Sequence, residues 1–157
     1  LSMLLDDDVV SVLVAGGWFV EREIPTEPMR RGLEDEGIVM HSAAMKILRS
    51  LGGLQFHGRN GDLMRFDVGA ACKWIDVDDL ACVQALFSGS ACPVACGEGM
   101  LYFVADDGKW FSLHEQWTVC YLMADLNTVL RFSLLGEFDL REAQVLEKHQ
   151  VPPSYRG

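Results

Sequence analysis

Leu101-Tyr102-Phe103-Val104-Ala105-Asp106-Asp107-Gly108-Lys109-Trp110-Phe111-Ser112 reads as strand, turn and strand. Tyr102 and Val104 alternate with Leu101 and Phe103, and Trp110 opposes Phe111 on the return strand; Asp106-Asp107-Gly108 supplies the turn between them. Successive side chains of a strand point to opposite faces, so one of each neighbouring pair enters the core. The other is exposed or covered by a helix. Working outward, Ala91 to Cys96 forms another strand, Gly97-Glu98-Gly99 a turn, and Thr118 to Tyr121 a further extended piece. Upstream, Leu54 to His57 and Leu63 to Val68 flank Gly58-Arg59-Asn60-Gly61, whose Asn-Gly is a hairpin signal.

Helices surround these strands. Leu5, Val9, Val12 and Leu13 share one helical face behind the Asp6-Asp7-Asp8 run, and Gly16-Gly17 stops it. A second helix runs from Thr26, as N-cap, to Gly37, burying Met29 and Leu33. The third is capped by Ser42, carries Ala44, Ile47, Leu48 and Leu51 on one stripe, and ends at Gly52-Gly53. Asp76 caps a helix reaching about Phe87, and another runs from Asp125 through Leu126, Val129 and Leu130 to Gly136. Asp139 with Glu142 resembles a capping box for a short terminal helix using Leu140, Ala143 and Leu146. The expected fold is one α+β domain over residues 1–150, a mostly antiparallel sheet with helices on one face, and a loose tail at 151–157.

Composition narrows the function classes. The chain has 157 residues, half of them hydrophobic, and a formal net charge of −10. Acid clusters at Asp6 to Asp8, Glu34-Asp35-Glu36, Asp76 with Asp78 and Asp79, and Asp106-Asp107. Such a surface repels phosphate backbones and argues against direct nucleic-acid binding. It suits solubility or, more sharply, a basic protein partner. No apolar run approaches the roughly 20 residues of a membrane-spanning helix, and the acidic N-terminal segment lacks the charge pattern of a secretory signal. The chain reads as cytoplasmic.

Five cysteines, Cys72, Cys82, Cys92, Cys96 and Cys120, sit among apolar neighbours in an odd number, against a disulfide framework. In extended chain the Cα atoms of Cys92 and Cys96 lie roughly 13 Å apart, too far for two thiolates on one zinc. No metal site, cofactor motif, nucleophile elbow or phosphate loop is present in the sequence, so no catalytic residue is assigned. His114-Glu115, beside Trp117 and near Cys120, is the one pairing from which an acid-base or thiol enzyme could be built. Arg22 reads as structural, pairing with an acid or stacking on Trp18.

The blocks taken together resemble a family. Ala15-Gly16-Gly17-Trp18 with Arg22, Glu36-Gly37, and Leu51-Gly52-Gly53-Leu54 closing the third helix are similar to the third subfamily of the SUKH superfamily. Cys92 to Gly97 matches its proline-hydrophobic-glycine strand, Phe103 to Trp110 its acidic-Gly hairpin, and Leu130 to Gly136 its closing helix. The resemblance covers about Val10 to Gly136. It implies an α+β fold in which Gly17, Trp18, Arg22, Gly52, Gly53 and Gly108 are structural motif residues. It also implies a bacterial immunity protein, without cofactor, that neutralises a cognate toxin by direct binding. The wider superfamily includes eukaryotic and viral proteins, so a regulatory or scaffolding interaction domain without a toxin remains the alternative. Because Trp and Tyr dominate interface hot spots, Tyr102, Trp110 and Trp117 beside Asp106, Asp107 and Glu115 form the expected partner-binding patch. The partner would be a toxin or another basic protein.

Overall fold

The computed structural model describes residues 5–87, 90–137 and 143–156. In chain order the elements are α1 (Asp7–Ala15), α2 (Glu27–Asp35), α3 (Ser42–Leu51), β1 (Gln55–His57), β2 (Leu63–Arg65), α4 (Val68–Cys72) and α5 (Val77–Ala85). They continue with β3 (Ala91–Gly97), β4 (Met100–Ala105), β5 (Trp110–His114), β6 (Val119–Met123), α6 (Leu126–Leu135) and β7 (Ala143–Val145). The seven strands form one antiparallel sheet in sequence order, β1 to β7, the simplest topology such a sheet can take. The α+β fold with an antiparallel sheet is as the sequence reads.

Strand alternation sorts the sheet into two apolar layers. Tyr102, Val104, Trp110 and Met123 point into the larger, where α1, α3 and α6 contribute Val9, Leu13, Leu48, Leu51, Val129 and Leu130. Leu101, Phe103, Phe111, Leu113 and Cys120 point into the second, with Ile75, Val83, Trp117 and Val151. Helices therefore lie on both faces, not one: the covering element that the Trp110/Phe111 alternation allowed for is the α5 segment. Phe87 stacks on Phe111 with ring centroids 3.4 Å apart, and Phe111 on Phe103 at 4.6 Å. The shared sheet makes the two layers one domain.

The central strand β3 carries a proline, which costs a ladder hydrogen bond unless the strand is irregular there. The register with β4 shifts between Pro93 and Ala95, leaving Val94 as the extra residue of a bulge. The shift decides the cysteines as well. Four residues apart in a regular strand they would share a face; here Cys92 enters the larger layer and Cys96 the second.

Local signals explain most helix boundaries. Asp125 Oδ1 accepts the Thr128 N–H at 2.8 Å, Gly136 ends α6 in the left-handed region, and Leu126, Val129 and Leu130 are buried as expected. Elsewhere the chain departs from expectation. The cap of α3 is His41, not Ser42: its Nδ1 accepts the Ala44 N–H at 3.2 Å while Nε2 reaches the Val104 carbonyl at 3.0 Å, tying the helix start to β4. That pairing leaves the proton on Nε2. Strand β2 stops at Arg65 because Asp67 Oδ1 accepts the Ala70 N–H and opens α4. Ala143–Val145 is a strand paired with β6, not part of a terminal helix; Asp139, Leu140 and Glu142 lie outside the described residues. The tail is seated: Val151 is buried in the second layer, and Tyr155 meets Trp117 at 6.1 Å between ring centroids.

One buried acid is a built-in cost. Asp79 is 2% exposed, accepts the Asp76 N–H at 3.0 Å, and has its carboxyl pushed up by burial, with Asp76 and Asp78 adding to the push. A carboxyl raised by folding destabilises the fold in its charged form, and the penalty vanishes once the pH falls below the unfolded value. Asp79→Asn keeps an acceptor for the Asp76 N–H and removes the charge. The variant is expected to melt higher at pH 7, by about 2–4 °C per kcal/mol released. The gap to the parent should close as the pH is lowered toward about 4. Melting curves across that range check both halves.

Candidate partner-binding face

The two glycine corners and Arg22 form one clasp. Chain leaving α1 turns at Gly16-Gly17 and buries Trp18, whose indole N–H donates to Ser50 Oγ at 2.9 Å. Arg22 then donates to the Ser50 and Gly52 carbonyls at the end of α3. These carbonyls lack intrahelical partners and carry the negative end of the helix dipole, so a guanidinium is well placed there. Arg22 thus pairs with backbone oxygens rather than with an acid or the Trp18 ring. Gly53, with φ 81°, turns the chain so that its N–H reaches the Phe66 carbonyl at 2.8 Å. Gly17, Trp18, Arg22, Gly52 and Gly53 are structural, and Gly108 occupies the β4–β5 turn, at φ 87°.

The expected aromatic patch does not assemble. Tyr102, Trp110 and Trp117 are 3%, 2% and 2% exposed, too enclosed to be the contact surface of a partner. Alternation from the hairpin places Tyr102 and Trp110 in the larger layer, whereas Trp117 belongs to the second. Asp106 and Asp107 are exposed at one end of the β4–β5 hairpin; Glu115 and Trp117 follow β5 at the other. Large rings that do reach the surface are Phe19, 55% exposed, and Trp74, 45% exposed.

What assembles instead is an acidic end of the sheet. Trp110, the first residue of β5, pairs with Met123, the last of β6, and Asp125 follows two residues later as the cap of α6. Asn127, in the first turn of α6, exchanges hydrogen bonds with Asp6 at 2.9 and 3.0 Å, which brings the start of α1 to the same end. Asp6, Asp7, Asp8, Asp106, Asp107 and Asp125 are all exposed there. Two cations accompany them. Lys109 lies 4.0 Å from Asp107, and Arg131 is bound by Asp6 at 2.9 Å, Asp8 at 2.8 Å and Glu137 at 2.7 Å. Hydrogen bonding to Arg131 holds the Asp8 carboxyl below its ordinary value, so it is ionised at neutral pH.

Beside this rim opens a cleft of about 350 Å³. Leu86, Phe87, Leu122, Met123 and the edge of Trp110 line it, with Asp107 and Lys109 at the hairpin end. Of the expected patch the cleft unites Asp107 and Trp110. Leu86, Phe87, Leu122 and Met123 are lining residues that sequence reasoning did not place at a site; their residue types read as core, and only the tertiary fold brings them together. An apolar floor with a charged rim is the arrangement of a protein interface core and its border.

The groups from which an enzyme could be imagined are otherwise engaged. His114 Nδ1 accepts the Gln116 N–H at 3.1 Å, closing the β5–β6 turn. Burial pushes the Cys120 thiol up to about 12, far from the thiolate that a nucleophile requires. Cys92 is also pushed to about 12, chiefly by burial. Among the described residues, no three His, Cys, Asp or Glu side chains are grouped to hold a metal ion. No helix among them is long and apolar enough to cross a membrane. Compared with protein-family models, curated proteins and solved structures, the chain matches none.

Proposed function

We propose that this chain is a non-enzymatic binding protein that neutralises a basic, nucleic-acid-targeting toxin in the cytoplasm by occluding it, as SUKH-type immunity proteins do. The observation that carries the reading is the gathering of two separate acidic runs, Asp6 to Asp8 and Asp106-Asp107, with Asp125 at the end of the sheet where a largely apolar cleft opens. An enzyme that cleaves nucleic acid needs cationic groups, and a field of opposite sign steers it in and pairs with those groups. The cleft supplies apolar area from which dissociation is slow.

The test is co-purification of the parent chain and of a double variant, Asp106→Lys with Asp107→Lys, from native cells. Both side chains are exposed, and the one bond lost within the fold is the local turn bond from the Lys109 N–H to Asp107 Oδ1, so circular dichroism of the variant accompanies the test. A basic partner should accompany the parent, lose its activity at stoichiometric ratio, and associate about tenfold or more slowly with the variant. The same partner binding both chains equally, or keeping full activity when saturated, sinks the proposal. A non-toxic regulatory partner would replace it with the scaffold reading.

A further inference from the structure

Strand β7 is the last of the sheet, and among the described residues no strand lies beyond it. Its register with β6 decides which of its peptide groups are spent. Leu146 N–H donates to the Thr118 carbonyl at 3.3 Å, and Cys120 faces Gln144 in the same register. Hydrogen-bonded and non-bonded pairs alternate along an antiparallel ladder, so Gln144 and Leu146 turn their backbone groups toward β6. Ala143 and Val145, of the opposite parity, turn theirs outward. The side chains agree with an open edge. Val145 is 81% exposed, more than Phe19 or Trp74, and pairs with half-buried Val119. No charge or proline of the kind that blunts an edge strand stands within Ala143–Val145.

Charge beside β7 differs between its two ends. At the Ala143 end, β6 runs on from Tyr121 to Met123 and the exposed Asp125. At the Val145 end stand the exposed Lys148 and Arg156. Lys148 makes no ion pair among the described residues, and Glu147 there lies 3.3 Å from His149 Nδ1. An antiparallel second copy brings each of these ends against its opposite.

We propose that two copies of this chain pair β7 to β7 around a two-fold axis at Gln144, continuing one antiparallel sheet through both. Ala143 then faces Val145 of the second copy as a hydrogen-bonded pair, and each copy spends there the N–H and C=O groups that β6 leaves free. The apolar row Val119, Val145 continues into Ala143 and Tyr121 of the second copy. Centring the axis on Val145 instead would require the Glu147 N–H, which Gln150 Oε1 already holds at 2.9 Å. With a net charge of −10 on each copy the dimer is weak, and it forms at salt high enough to screen the distant acids. No lining residue of the acidic cleft belongs to β7, so dimer formation and toxin binding stand or fail separately.

Sedimentation equilibrium in about 0.15 M salt, up to about 1 mM protein, measures the association. Amide hydrogen exchange, read residue by residue by nuclear magnetic resonance, tells which edge is used. The parent should pass from monomer to dimer. The Ala143 and Val145 amides should exchange more slowly as concentration rises, while Gln144 and Leu146, held by β6, stay unchanged. Val145→Pro removes an outward N–H without touching the ladder to β6, and Val145→Lys places a charge at an exposed edge position. Each should weaken dimerisation about tenfold or more, with Gln144 protection retained as the sign that β7 is still seated. A parent that stays monomeric at the highest concentration overturns the proposal. So does a dimer whose Ala143 and Val145 amides exchange as fast as in the monomer, or unchanged association in Val145→Lys. Protection of those amides only by a co-purified extended peptide gives the edge to that partner and overturns it as well.

Discussion

Gly97→Ala is expected to abolish cooperative folding, or to leave a chain destabilised by about 4 kcal/mol, the sum of overpacking and backbone strain. A Cβ at Gly97 would overlap the Leu63 carbonyl oxygen and stand 2.9 Å from its carbon and 3.2 Å from Met64 Cα. All three obstacles are backbone atoms of β2, which cannot rotate away. Their retreat would unpair β2 from β3, and Met64 and Phe66, both fully buried, would lose their place in the larger layer. Gly97 also has φ +158°, at the border of what a side chain tolerates. Gly108→Ala separates the two causes. Its φ is +87° but nothing lies within 4 Å of the added methyl, so only the conformational penalty of about 1 kcal/mol applies. Thermal melts of the two variants should differ widely. Equal, mild losses in both would mean that β2 and β3 do not approach as closely as described.

Gly97 also illustrates what was legible in the sequence. It reads as a turn glycine, but the structure makes it the last residue of β3; its close approach to the neighbouring strand β2, distant in sequence, is a fact that no local pattern carries. The same divide runs through the molecule. Helix α6 was legible residue by residue, because an aspartate cap, an apolar stripe and a terminal glycine are local signals. Strand β7 was not, because Ala143–Val145 becomes a strand by pairing with β6, while its own residues fit a helical stripe as well. His41 was missed as a cap because serine follows it, and the deciding partner, the Val104 carbonyl, is 63 residues away. The acidic runs were visible singly. That Asp6, Asp107 and Asp125 share one end of the sheet follows from strand order and the Asp6–Asn127 bonds, which are tertiary. The aromatics misled for a related reason: Tyr102 and Trp110 look available at a hairpin, until both faces of that hairpin prove to be covered.

Phe111→Ala tests that double cover. Its ring lies between Phe87 and Phe103, with centroids at 3.4 and 4.6 Å, and interplanar angles of 20° and 2°. Phe111 is fully buried on the face that the hairpin alternation left as either exposed or covered by a helix. If that face carried only a loose covering, truncation would cost little, since water would already reach the ring. With α5 seated, removing the ring empties the middle of a three-ring stack, and large-to-small substitutions of this kind cost about 3–5 kcal/mol. Phe111→Leu, which keeps most of the volume, should cost about 1.5 kcal/mol or less. The damage should also be local in its first effect: Leu86 and Phe87, which line the acidic cleft, lose their support from below. Hydrogen exchange should therefore rise first in α5, before the α1, α3 and α6 layer opens. A chemical denaturation curve showing less than about 1 kcal/mol lost in Phe111→Ala would place α5 off the sheet and remove the floor of the cleft with it.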